Sequence, residues 1–123
     1  MTNKPFMLLW LVLAPLLMTS CSPAKQFYPV EGSLAVTVED VVRDEKGNMT
    51  FRWVAPSESV WYCPGYEWYE RAGTIYVRFV RVRMGDELDP PFEAVPLRNP
   101  EALPVLLSDE DGHTRELWRS VKP

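Results

Sequence analysis

Two residues in this chain could supply nucleophilic chemistry together, Cys63 and His113, the latter the single histidine. A thiolate beside an imidazole is a competent nucleophile. Cys63, however, precedes Pro64 in a turn signal, with no helix start to lower its pKa, so the reading is a buried, idle thiol and no enzyme. Asp109-x-Asp111-Gly112, with Glu116 beyond, carries part of a calcium-loop pattern. It lacks the further oxygen ligands at fixed spacing that such a loop needs, and an Asp- and Gly-rich hairpin turn accounts for the same residues. One histidine is too few for a blue-copper site, and Cys63-Pro64 alone is too short to indicate haem. No metal and no cofactor are expected.

The strongest lead is aromatic and basic. Trp61, Tyr62, Tyr66, Trp68 and Tyr69 crowd nine residues, and Arg78, Arg81 and Arg83 follow in the next apolar stretch. Aromatic groups at a surface anchor protein interfaces or stack on sugar rings. Core and cross-strand packing competes for the same side chains.

These residues must be positioned by strands. Thr74–Met84 alternates strongly, but Ile75, Val77 and Phe79 are out of phase with Val80, Val82 and Met84. One extra residue at Phe79-Val80, a β-bulge, would return all six to one inward face and turn Arg78, Arg81 and Arg83 outward as a stripe. A hairpin turn centred on Ala72-Gly73 sets Glu67 opposite Arg78, Trp68 opposite Val77 and Tyr69 opposite Tyr76. That register sends Tyr66 and Trp68 inward and Tyr69 outward, so the expected partner surface is Tyr69, Tyr76, Arg78, Arg81 and Arg83. Elsewhere, Leu34–Glu39 and Met49–Val54 alternate around the polar turn Asp44–Asn48. Asn99-Pro100-Glu101-Ala102 has a capping residue and a proline placed for a short helix. Val105–Leu107 and Arg115–Val121 flank a final turn. Six or seven short strands with no long amphipathic helix predict an all-β domain, a small antiparallel β-sandwich of immunoglobulin-like topology.

The address lies at the other end. An apolar run, Phe6 to Met18, spans about 20 Å as a helix, short of the ~30 Å bilayer core and suited to a cleaved signal. It ends in Met18-Thr19-Ser20-Cys21. This stretch resembles the bacterial lipoprotein signal, whose lipobox closes on two small residues and a cysteine; Met18 stands where leucine is commonest. The resemblance covers about the first 22 residues. It implies cleavage before Cys21 and a thioether diacylglycerol on that sulfur, with an N-acyl chain in many bacteria. Ser22 in place of Asp implies sorting to the outer membrane, with the domain facing the periplasm. Two or three acyl chains, each methylene worth about 0.8 kcal/mol, hold a protein far more firmly than one.

On this reading residues 1–20 are signal, 21–30 lipidated cysteine and tether, and 31–123 one domain. Loss of Lys4 with the signal takes the formal charge from −4 to −5, which argues against nucleic acid. Lipidation of Cys21 leaves Cys63 without an intramolecular partner, so the domain must fold without a disulfide. The expected function is a membrane-anchored, non-catalytic envelope lipoprotein that binds a protein partner. A glycan-binding module using surface aromatics is the alternative.

Overall fold

The computed structural model describes residues 25–121, and the signal stretch with Cys21 lies outside the described residues. The chain there is all β, with eight strands and no helix: β1 Gln26–Phe27, β2 Thr37–Arg43, β3 Met49–Val54, β4 Trp61–Tyr62, β5 Tyr66–Arg71, β6 Thr74–Arg83, β7 Val105–Ser108 and β8 Thr114–Trp118.

β6 is the axis of a six-stranded sheet. β5 and then β4 run antiparallel along one edge. Along the other lie β7, parallel to it, and the short β1; β8 pairs antiparallel with β7. The sheet is therefore mixed rather than wholly antiparallel. The long connection between β6 and β7 makes the parallel pairing possible, as a tight turn could not. β2 and β3 form a separate ribbon, turned around Asp44–Asn48. Asp44 accepts from the Asn48 backbone N–H and side-chain amide and from the Lys46 N–H, and those bonds hold its carboxyl below the usual range.

The ribbon presents Met49, Phe51 and Trp53 to the larger sheet. Phe51 meets Tyr66 edge-on at 5.1 Å, and Trp53 packs on Phe79 at 5.1 Å. The core between the sheets is Val36, Met49, Phe51, Ile75, Val77, Phe79, Leu97, Val105 and Leu107. Leu34 stays exposed, and β2 starts only at Thr37. A register slip between Val38 and Asp40 makes Glu39 the extra residue in β2, which brings Val41 as well as Val38 against the core.

Three expectations are corrected here. First, β6 runs regularly through Phe79 and Val80: Tyr66 pairs with Phe79, and the Val80 N–H bonds the Gly65 carbonyl at 2.9 Å in the same register. Tyr62 then pairs with Val82, so the odd residue lies opposite, within Cys63–Gly65. Phe79 and Val80 therefore face opposite sides, and both are buried because this end of the strand is covered on both faces. Second, residues 26–30 are not tether. Gln26 and Phe27 pair with Arg81 and Val80, Tyr28 and Val30 are buried, and the Val30 N–H bonds Asp109 at 3.0 Å. Third, Asn99 caps a turn and not a helix. Its amide is fully buried and exchanges two 2.8 Å bonds with Leu103, while Ala102 takes a left-handed φ of 54° that ends any helical path.

Candidate functional site

The site is built on the face of β5–β6 turned away from the ribbon. The expected cross-strand pairs are present: Glu67 with Arg78, Trp68 with Val77, Tyr69 with Tyr76. Their alternation puts Glu67, Tyr69, Tyr76 and Arg78 on this face. Ala72 and Gly73, with φ of 53° and 77°, make the two-residue turn that fixes the register. The Tyr69 and Tyr76 rings stack at 5.2 Å and 19°.

Arg78 is the group that this arrangement leaves unsatisfied. Its guanidinium lies 5.5 Å from the centres of both the Phe27 and Tyr69 rings, a cation–π contact on each. Among the described residues its one hydrogen bond is a long 3.5 Å contact to the Tyr69 hydroxyl, and its buried Nε finds no acceptor. Glu67, directly across, is held by Lys25 instead. Among the described residues no carboxylate stands within ion-pair distance of Arg78.

A groove of about 410 Å³ opens beside it, lined by Tyr66 through Tyr69, Arg78, Glu93 and Val95. Four consecutive β5 residues line it, so its floor is the edge of that strand, which pairs with no neighbour but β6 among the described residues. The Trp68 indole N–H donates to the Val95 carbonyl at 3.0 Å and fixes the far wall. A second groove of about 320 Å³ lies on the other side of the tyrosine pair, toward Ser108 and Thr114.

The five expected surface residues do not act as one patch. Tyr69, Tyr76 and Arg78 come together. Arg81 points to the opposite face, stacked 4.0 Å from the Trp61 ring and bonded through two nitrogens to Glu58. Arg83 shares the Arg81 side of the strand and is exposed, paired to Trp61 through the backbone. The basic stripe is thus a correction: regular alternation separates Arg78 from the other two. Lys25 and Phe27 complete the site instead. They are missing from the sequence reading because residues 22–30 read as tether; the apolar Phe27, Tyr28 and Val30 are the signal for a strand there.

The other candidates resolve into structure. Burial pushes the Cys63 thiol up to about 11, and its sulfur rests 3.3 Å from the Gly65 carbonyl. Asp109, Asp111 and His113 each bring a donor atom within 4.8 Å of one another. The Asp109 carboxylate, though, accepts from the backbone N–H groups of Val30, Asp111 and His113 and contacts the His113 ring at 3.3 Å. Burial raises its pKa; those bonds outweigh the burial and hold it below the usual range. The residue ties the N-terminal strand to the β7–β8 turn. Tyr28, buried with its hydroxyl unpaired, is pushed up to about 12, chiefly by desolvation. Comparison with protein-family models, curated proteins and solved structures gives no match to this chain.

Proposed function

We propose that this chain is a lipid-anchored envelope protein that acts by binding a protein partner, without catalysis, through the face formed by Tyr69, Tyr76 and Arg78. The observation that carries it is Arg78. A guanidinium held between two aromatic rings, with no carboxylate partner among the described residues, in a domain of net negative charge, is a preformed receptor for one acidic group. The anchor rests on the lipobox ending in Cys21, and the expected location is the outer membrane facing the periplasm. The ribbon packed on the larger sheet supports a β-sandwich of immunoglobulin-like kind, with the parallel β6–β7 pair as its departure.

The glycan reading is less well supported. A sugar platform needs open ring faces, whereas the Tyr69 ring is already stacked on Tyr76 and overlain by Arg78. The test is in-cell crosslinking of the lipidated chain, comparing the wild type with Arg78→Glu. Loss of a protein adduct with an unchanged melting curve is the expected result. An identical adduct pattern refutes the surface, and Arg78-dependent sedimentation with purified peptidoglycan would favour the glycan instead.

A further inference from the structure

The point where the domain meets its anchor lies on the binding face itself. Lys25 is four residues from Cys21, so at most about 14 Å of extended chain separates the two. Its ammonium pairs with Glu67, in the wall of the groove. Two residues on, Phe27 forms one side of the Arg78 cradle. This strand cannot swing away from the domain. Gln26 and Phe27 are paired to β6, the Tyr28 N–H bonds the Phe79 carbonyl at 2.9 Å, Tyr28 and Val30 are buried, and Asp109 clamps the Val30 backbone.

We infer that the Arg78 face works at the level of the lipid headgroups and takes an acidic side chain from a protein seated in the same membrane. The inference rests on the lipid-anchor reading of Cys21 and deepens the proposed partner binding. A ligand farther from the bilayer is out of reach of a face held this close to it. The headgroups themselves are a poor match. Glu93 lies in the groove beside Arg78, Glu67 is only balanced by Lys25, and the mature chain carries −5, so an anionic surface is repelled. One carboxylate on a protein matches the Arg78 guanidinium, which has no carboxylate partner among the described residues. The short tether also raises the effective concentration of the face for any neighbour in the membrane plane.

The experiment uses the full chain in its own cells, with Tyr69→p-benzoylphenylalanine as photocrosslinker. Adducts are identified by mass spectrometry, and each protein so found is classed by its own behaviour in carbonate when not crosslinked, as membrane-seated or soluble, with phospholipid adducts counted separately. The expected product is an adduct to a protein that resists carbonate by itself. Inserting 20 Gly/Ser residues after Ala24 lengthens the tether from four residues to 24, and with a −3/2 power dependence the yield should fall about 15-fold. Arg78→Gln should also remove the adduct, with its melting curve reporting that the domain still folds. A soluble-protein adduct, a phospholipid adduct alone, or a yield insensitive to the insertion overturns the inference while leaving the anchor intact. An unmodified sulfur at Cys21, read by mass spectrometry of the same sample, overturns the anchor and the inference with it.

Discussion

Replacing Gly47 with alanine tests the contact between the β2–β3 turn and the Asn99-Pro100 segment. Gly47 closes the β2–β3 turn with φ of +86°, and its carbonyl accepts the Asn99 N–H at 2.7 Å. A Cβ there would stand 2.8 Å from the Pro100 Cα, 2.9 Å from its nitrogen and 3.0 Å from the Asn99 carbonyl carbon. All three are backbone atoms, so no side-chain rotation relieves the contact. The left-handed conformation alone costs an alanine about 1 kcal/mol. Displacing Asn99-Pro100 also weakens the bond to Gly47 and the Met49–Leu97 bond beside it, each worth about 1 kcal/mol net. The sum is about 3 kcal/mol, and at roughly 4–8 °C per kcal/mol for a domain near 100 residues the melting temperature should fall by about 12–24 °C. Gly73→Ala is the control: its φ is +77°, but nothing lies within 4 Å of the added carbon. It should lose only the conformational part, about 1 kcal/mol or roughly 4–8 °C. Thermal melts followed by near-ultraviolet circular dichroism, with urea titrations to check that the m-value holds, measure both. Equal losses in the two variants would refute the argument from backbone contact.

Other perturbations separate the buried polar groups. Tyr28→Phe removes a buried hydroxyl with no partner, so the variant should be as stable as the wild type or gain about 1 kcal/mol in urea titration, where a comparable loss would mean the hydroxyl has a partner. Cys63, raised from 9.0 to about 11, should react with iodoacetamide at pH 8 about 100-fold more slowly in the folded domain than in urea, since each pKa unit cuts the thiolate fraction tenfold; equal rates would show an accessible thiol. Asp109→Ala leaves three backbone N–H groups without their acceptor and should cost about 3 kcal/mol or more. Because the folded pKa of Asp109 is lowered, its ionised form stabilises the domain above the ordinary carboxylate range, and that contribution is lost as pH falls through the folded value. Wild type should therefore lose stability below about pH 4 more steeply than Asp109→Asn, and parallel acid limbs would contradict the tie.

What the sequence shows clearly is local. The β5–β6 register follows from one turn: Ala72-Gly73 allows a two-residue connection, and every pair from Arg71–Thr74 to Tyr66–Phe79 is then determined. The outer strands of the β2–β3 and β7–β8 hairpins are legible for the same reason, as Gly47 and Gly112 mark turns between alternating runs. The bulge shows how the same logic fails. A phase change in hydrophobic alternation has two causes, an inserted residue or a change in which face is covered. In β2 the change from Val36 and Val38 to Val41 is an inserted residue, Glu39. In β6 the change at Phe79-Val80 is coverage, since the ladder stays regular there while Phe79 and Val80, on opposite faces, are both buried. Alternation alone carries both and distinguishes neither.

The fate of the arginines turns on distant chain. Arg78 and Arg81 have the same side chain, three residues apart in one strand, and Glu67 sits across from the first in the register that the sequence supplies. Neighbourhood in the hairpin therefore favours neutralising Arg78, and the opposite happens. Lys25, 42 residues away, takes Glu67, and Glu58, 23 residues away, reaches Arg81 from beneath the sheet. Charges compete for partners by proximity in space, and a lysine delivered by a paired strand outcompetes a cross-strand guanidinium already stabilised by two rings. The strand that delivers Lys25 is also the one that leads to the anchor. Sequestering Glu67 and exposing Arg78 are then consequences of a single event, the docking of Gln26–Val30 on β6. Unpairing that strand, as Asp109→Ala should favour, would return Glu67 to Arg78 and close the site; an unchanged crosslink at Tyr69 in a folded Asp109→Ala chain would show that the two are not coupled.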